Sequence, residues 1–242
     1  MTGLLYFDPY FWVTIPGILL AAWAQMKLSA AYGRYSRVGT VRGVTGADVA
    51  RLMLDRNGMA NVEVYRIGGE LTDHYDPGRR AVFLSHGVHD TPSVAAVGIA
   101  AHEVGHAIQH KTGYAWLGFR MAMVGLTGFA SKASWFLILG GMIFSNANPR
   151  SSLGRSFLFF GIMLFAVTVA FQMVTLPVEF DASSRAKREL LRLGIIVPEE
   201  SSGISKVLSA AALTYVAGLL TSVLELVRLL LIFRRPRDED DR

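Results

Sequence analysis

The sequence predicts an α+β membrane protein that is mainly helical, with about four transmembrane helices and a small helix-plus-sheet domain. Three observations support this fold class. Hydrophobic residues make up 52% of the 242 residues and only 18% are charged, a composition too apolar for a soluble domain. The apolar residues are concentrated in four long segments. A stretch of mixed polarity at 45–110 separates the first segment from the other three.

Charge and cysteine content narrow the classes of function. The 24 Lys and Arg exceed the 19 Asp and Glu by 5. In so apolar a chain this surplus indicates juxtamembrane cations, and we expect a lipid bilayer and no nucleic acid as partner. The chain has no cysteine, which excludes disulfides, thiolate metal sites and cysteine nucleophiles. Any bound metal must therefore be held by His, Asp or Glu.

Residues 1–26 are predicted to form an N-terminal transmembrane anchor. The run at 11–26 has no charge, and roughly 20 such residues suffice to cross the hydrocarbon core. It lacks a basic n-region and a small-residue cleavage site, so we expect it to remain uncleaved. Cations follow directly, beginning with Lys27, Arg34 and Arg37. By the positive-inside rule they place this side in the cytoplasm and the N-terminus outside.

Residues 27–115 are predicted to form the helix-plus-sheet domain. Thr45 and Asp48 resemble a capping box, which begins a helix that ends at Asn57-Gly58. Apolar and small residues dominate 93–109, which predicts a second helix. Two strands and two turns are predicted between these helices: strands near 62–67 and 81–84, and turns at Gly68-Gly69 and Asp76-Pro77-Gly78.

Three further apolar segments lie at 116–144, 157–178 and 207–233. Arg120 and Lys132 interrupt the first of them. Either one half of this segment crosses the membrane, or the whole segment crosses it at a tilt. The predicted organisation is two transmembrane segments within 116–178, a cytoplasmic helix at 179–206, a C-terminal transmembrane segment at 207–233 and a charged tail at 234–242.

The charged tail leaves the side of the C-terminus open. Four spans from an outside N-terminus would place both termini outside. Arg234, Arg235 and Arg237 favour the inside, but acidic residues follow them at 238–241.

Residues His102-Glu103-Val104-Gly105-His106 form the HExxH pattern within the predicted helix at 93–109. Residues i and i+4 lie on the same face of a helix, so both imidazoles can reach one ion. Glu103 can take a proton from a metal-bound water, whose pKa zinc lowers toward neutrality. The pattern predicts one catalytic Zn²⁺ with His102 and His106 as ligands and Glu103 as general base. The alternative is two structural histidines on a core helix.

Catalytic zinc takes three protein ligands, so one ligand is missing from this pattern. His110 continues the series, but eight residues along a straight helix is about 12 Å, and we expect a helix C-terminal cation instead. Glu179 is the better candidate, in the first turn of a helix that Pro177 can open. Compensation of the helix dipole is the alternative role for Glu179. Asp181 is spaced to pair with Arg185 and is a weaker ligand candidate.

Three other histidines have less specific surroundings. His74 is predicted to lie on a hairpin, where it or Tyr75 can donate to a developing oxyanion. A turn-stabilising or exposed role for His74 is an equal alternative. His86 and His89 are candidates for a second metal, but their spacing in a loop is weak support.

Four blocks of sequence carry a resemblance to a known family: LTDHYDP, SVAAVGIAAHEVGHAIQH, TLPVEFDASSRA and KVLSAAALTYVAGLL. Together they resemble the YugP-type neutral zinc metallopeptidases, a family of bacterial membrane proteins, over nearly the whole chain. More distantly, EFDAS is similar to the EFxAD element of the HtpX and CAAX-processing membrane proteases, whose Glu is the third zinc ligand. That match falls on Glu179. The resemblance implies a membrane-bound zinc endopeptidase with a zincin-like catalytic domain.

This chain departs from the wider group at one position. Where that group has an Asp four residues after the ligand Glu, this chain has Ser183. The usual carboxylate support for a ligand histidine is therefore absent or supplied elsewhere, with Asp181 and Asp73 as candidates. The resemblance also implies that the LTDHYDP segment is an edge strand against which an extended peptide lies.

The leading hypothesis is a gluzincin-like zinc endopeptidase at the cytoplasmic face of the bacterial inner membrane, acting on membrane or membrane-proximal proteins. A site-2-type intramembrane protease is one alternative, although only about 11 charge-free residues, 91–101, precede the motif. A non-enzymatic membrane scaffold with a structural metal is the other, and Glu103 argues against it because a structural site needs no base. The sequence identifies no substrate, regulatory partner or oligomeric state.

Overall fold

A computed structural model describes residues 8–148 and 152–234. The start of the predicted anchor and the charged tail after Arg234 lie outside the described residues. The helices and strands, in chain order, are α1 (Ile15–Tyr35), α2 (Gly46–Arg56), β1 (Glu63–Ile67), β2 (His74–Asp76), β3 (Ala81–Ser85), α3 (His86–His89), α4 (Val94–Lys111), α5 (Ala115–Ala147), α6 (Ser152–Arg192) and α7 (Pro198–Arg234).

Four helical stretches are long and apolar enough to cross a membrane: Phe11–Tyr35, which includes α1, and the helices α5, α6 and α7. Arg120 and Lys132 do not break α5, which is continuous over 33 residues. Many large apolar side chains of these helices are exposed, as lipid-facing residues are; examples are Phe119, Phe129, Trp135, Phe136, Phe160 and Met163. The predicted fold class, a mainly helical membrane protein with a small sheet and four spans, is confirmed to this extent.

The chain forms two compact units. One combines the described residues of 1–22, 120–173 and 216–242. In it, Arg228 donates to the carboxylates of Asp8 and Glu225, so that these charges are paired in an apolar helix bundle. Glycines bring helices close together there, since a Cβ on Gly141 would lie 2.7 Å from the backbone nitrogen of Leu158.

The other unit combines residues 23–119 and 174–215 and contains the sheet. The strand order is β1-β3-β2, with β1 parallel and β2 antiparallel to the buried strand β3. The edge position of β2, implied by the family resemblance, is confirmed. The predicted capping box is also present, since the Thr45 and Asp48 side chains each accept from the other's backbone nitrogen. Apolar residues of α2, β3 and α4 form the core of this unit.

The predicted helix start at Pro177 is wrong. Helix α6 runs without interruption from Ser152 to Arg192 and contains Pro177. Proline removes one backbone donor and usually ends a helix, but it is tolerated inside transmembrane helices, where neighbouring groups satisfy the freed carbonyl. The predicted separate helix at 179–206 is also wrong, because α6 continues through Glu179 to Arg192. This stretch comprises the end of α6, a turn, and the beginning of α7.

Candidate metal centre

Helix α4 packs in the core of the unit that contains the sheet and carries both histidines of the HExxH pattern. Its N-cap Ser93 accepts a hydrogen bond from the Ala96 backbone nitrogen, which fixes where the helix begins. Most of its residues are small or apolar and buried, so neighbouring helices pack on it closely. His106 is buried and His102 is partly exposed. The HExxH face is therefore enclosed, with access from the side of His102.

Glu179 of α6 lies against both imidazoles. Its Oε2 atom is 3.2 Å from His102 Nε2 and 3.7 Å from His106 Nε2. The three ligand atoms all lie within 4.8 Å of one another. Tetrahedral zinc with ligand bonds of 2.0–2.1 Å holds its ligand atoms about 3.3 Å apart. The two distances to the carboxylate oxygen are close to this value, and two imidazole nitrogens with one carboxylate oxygen are a donor set that zinc accepts.

A glycine allows α6 to approach the face of α4 that carries both histidines. A Cβ on Gly105, which lies between the two histidines, would be 2.5 Å from the Ala182 carbonyl oxygen of α6. Any side chain at this position would force the two helices apart. Close backbone approach at Gly105 is therefore what brings Glu179 within reach of both imidazoles.

Gln109 fixes the orientation of His106. Its Oε1 is 3.0 Å from His106 Nδ1, while its Nε2 donates to the Val178 carbonyl at 2.8 Å and to Asp181 at 2.9 Å. Both partners of Nε2 accept hydrogen bonds, so Oε1 faces the imidazole as an acceptor. His106 must then carry its proton on Nδ1, which leaves the Nε2 lone pair for a metal.

Sequence reasoning missed Gln109, although its position held a signal. It lies three residues after His106 in a helix of mostly small and apolar residues, so it shares a face with that histidine. Gln109 is fully buried. A buried amide needs polar partners, and a ligand histidine supplies one.

The side chain of Ser183, on α6, is a hydrogen-bond partner of His102. Its Oγ lies 3.1 Å from His102 Nδ1. Asp73 and Asp181 are the carboxylates predicted as possible partners of a ligand histidine. Asp73 accepts from Ser85 instead. Asp181 accepts from Gln109 and pairs with Arg185 at 2.5 Å. A hydroxyl thus occupies the place of the usual carboxylate.

The electrostatics of the site favour a positive charge between the imidazoles. Burial by itself lowers the pKa of His106, but a hydrogen bond donated to Glu179 and the charges of Glu103 and Glu179 outweigh it and raise this pKa above its ordinary value. Glu103 is itself buried at 7% exposure. The same carboxylates that stabilise a proton on His106 would stabilise a divalent cation.

The other histidines lie in separate surroundings. His74 is exposed on β2, where its Nδ1 contacts the Thr72 carbonyl at 2.9 Å and its ring stacks on Phe83. Tyr75, the alternative donor, has its hydroxyl 2.9 Å from Nδ1 of His110, in the last turn of α4.

His86 and His89 are the first and last residues of the short helix α3, and His89 contacts Asp90. Within the described ranges 8–148 and 152–234, the one cluster able to hold a metal is His102, His106 and Glu179.

The fold defines a membrane protein in which two histidines of an HExxH helix and a glutamate of α6 form a group that could hold a metal ion. The model of the family described as "Putative neutral zinc metallopeptidase" matches residues 10–234, and the chain belongs to this family. The chain is 45% identical over 231 residues, covering 96% of this chain and 99% of the relative, to a Bacillus subtilis (strain 168) protein described as "Putative membrane protease YugP". No solved structure matches the chain.

Membership confirms the family resemblance and has consequences for the chemistry. The family and the relative support a peptidase, which implies a protein substrate, and the family implies zinc. The apolar helices imply a lipid bilayer.

Proposed function

We propose that this protein is a zinc-dependent endopeptidase that hydrolyses peptide bonds of membrane or membrane-proximal proteins. In this proposal His102, His106 and Glu179 hold one Zn²⁺ and Glu103 is the general base. The observation that carries it is the placement of Glu179 Oε2 at 3.2 and 3.7 Å from the two imidazole Nε2 atoms, a spacing that suits zinc.

The side chains of the site divide the work of hydrolysis. When bound, zinc supplies a Lewis acid that polarises the scissile carbonyl and makes a water acidic enough to lose a proton at neutral pH. Glu103 accepts that proton and passes it to the leaving amine. Ser183 and Gln109 hold the imidazoles through their Nδ1 atoms, so that both Nε2 atoms remain directed at Glu179.

The edge strand β2 supports a binding mode for the substrate. An exposed edge presents unpaired backbone groups that an extended peptide can pair with. The role of His74 as a donor to the oxyanion stays a prediction, and it requires a protonated imidazole ring. Because its Nδ1 faces the Thr72 carbonyl, its Nε2 carries a hydrogen only when the ring is protonated.

The proposed location is the bacterial inner membrane with the metal centre in the cytoplasm. Spans at α5 and α6 between the two halves of the site return the chain to the side it left, so α4 and the end of α6 share one side. The cations directly after the first span favour the cytoplasm for that side.

Two alternatives are less well supported. A site-2-type protease carries its HExxH helix within the membrane, whereas α4 is not among the candidate spans of the described chain. A scaffold with a structural metal has no use for a base, yet the buried carboxylate of Glu103 directly follows the first ligand histidine.

The substitution Glu103→Gln tests the mechanism. It removes the base and keeps the shape of the side chain, so the variant should bind zinc one to one and lose cleavage of an unfolded test protein by about 10²–10⁴-fold. Glu199→Gln, at the start of α7, is the matched control and should cleave like the parent. Undiminished cleavage by the Glu103 variant would overturn the mechanism.

A further inference from the structure

A cavity of about 500 Å³ lies between α1 and α7, within the unit that contains the sheet. Three cations line it, Lys27 and Arg34 from α1 and Lys206 from α7. Gly203 brings the two helices together beside it, since a Cβ there would lie 2.8 Å from the ring of Tyr35. The cavity is a separate feature from the metal centre, and none of the metal ligands lines it.

Among the described residues, none of the three cations has an acidic partner. Within 8–148 and 152–234 no carboxylate forms an ion pair with Lys27, Arg34 or Lys206, and each of the three side chains is exposed. The hydroxyls of Ser202, Ser205 and Ser209 complete the polar part of the lining. Three positive charges with hydroxyl donors beside them form a binding environment for a phosphate group.

Two helices independently place this cavity at the edge of the hydrocarbon core. In α1 the charge-free run 11–26 ends at Lys27, and in α7 the charge-free run 207–224 begins after Lys206. Trp23, one turn before Lys27 on the apolar side, is 48% exposed, and the Lys27 ammonium lies 4.9 Å from its ring centre. Exposed tryptophans next to lysines are typical of the headgroup level of a bilayer.

The lining of the cavity has an apolar part as well as a cationic part. Ala30 and Ala31 add small apolar surface beside the cations. A ligand with a negative phosphate and attached acyl chains matches this arrangement, because its chains can extend along the apolar parts of α1 and α7. We propose that this cavity binds the phosphate headgroup of an anionic phospholipid.

Native mass spectrometry of the full-length protein tests the proposal. The protein is purified in detergent, supplied with phosphatidylglycerol, and the retained lipid is counted. The double variant Lys27→Gln, Lys206→Gln should retain about tenfold less phosphatidylglycerol than the parent. Lys27→Arg, Lys206→Arg should retain it. The control Arg56→Gln, Lys187→Gln loses the same charge outside the cavity and should behave like the parent.

One further variant and one competition experiment complete the test. Ser209→Trp fills the rim of the cavity without removing a charge and should also reduce retention, which covers the case of a Gln variant that fails to fold. Excess inorganic phosphate should leave the lipid bound, because the acyl chains contribute to binding. Equal retention by the parent and both cavity variants overturns the proposal, and so does displacement of the lipid by inorganic phosphate.

Discussion

At the scale of single residues, the arrangement of hydrogen bonds around the two histidines explains why they suit a metal. Ser183 and Gln109 contact the Nδ1 atoms, and Glu179 faces the Nε2 atoms. Each imidazole is therefore held in one orientation, with its Nε2 atom toward the shared carboxylate. For His106 the tautomer also follows, because the amide oxygen of Gln109 can only accept.

Glu179→Ala should abolish zinc binding. It removes the third ligand and leaves two histidines, which do not hold zinc tightly on their own. Metal analysis of the purified protein checks this expectation. Glu189→Ala, which changes a carboxylate further along the same helix, should retain stoichiometric zinc. Stoichiometric zinc in the Glu179 variant would show that another residue is the third ligand.

Gln109→Leu should weaken zinc binding by about 10–100-fold. Leucine nearly preserves the volume but removes the acceptor for His106 Nδ1 and the donor to the Val178 carbonyl. A competition titration with a zinc chelator measures the affinity. Thr112→Val, at the C-terminus of the same helix, is a control that should leave the affinity unchanged. Unaltered zinc affinity in the Gln109 variant would show that Gln109 does not orient His106 for zinc binding.

The sequence predicted the site residues whose spacing is local and, apart from Glu179, missed those that depend on packing. His102, Glu103 and His106 lie within one turn of helix, so the pattern alone assigns them. Gln109 and Ser183 act through contacts that exist only when α4 and α6 lie together. The proximity of Glu179 was predicted, but its reason, Gly105, was not.

At the scale of elements, the continuity of α6 is the feature that the sequence concealed. Pro177 suggested a new helix, yet one helix carries both a long apolar segment and Glu179. The proposed metal ligand Glu179 therefore lies within a continuous helix and not at a helix terminus. Compensation of a helix dipole at the first turn no longer explains an acidic residue at this position.

Gly105→Ala should separate α4 from α6. The added methyl would lie 2.5 Å from the Ala182 carbonyl oxygen, a backbone atom that cannot rotate away. We expect reduced zinc content and a lowered Tm. Gly118→Ala in α5 is the control, because a Cβ there meets nothing within 4 Å and alanine favours a helix. Full zinc content with an unchanged Tm would contradict the close approach of the two helices.

At the scale of the whole molecule, the apolar segments were predictable and the sheet order was not. Spans are evident from length and composition because the bilayer requires long apolar helices. The order β1-β3-β2 depends on non-local pairing, with a parallel pair between β1 and β3 that short apolar runs do not reveal.

Reporter fusions test the proposed topology. Fusions after Arg42, at Asn148 and after Arg242 should report inside, outside and outside respectively, because four spans follow from an outside N-terminus. Activity of paired cytoplasmic and exported reporters is the measurement. An outside signal at Arg42 would overturn the cytoplasmic metal centre, and an inside signal after Arg242 would overturn the four-span count.

In the proposed site, His102, His106 and Glu179 hold one zinc ion beside Glu103. Anomalous diffraction collected on both sides of the zinc edge locates the ion and its ligands. We expect one peak about 2.0–2.2 Å from both Nε2 atoms and a carboxylate oxygen of Glu179. A peak elsewhere, or a different third ligand in its place, would contradict it.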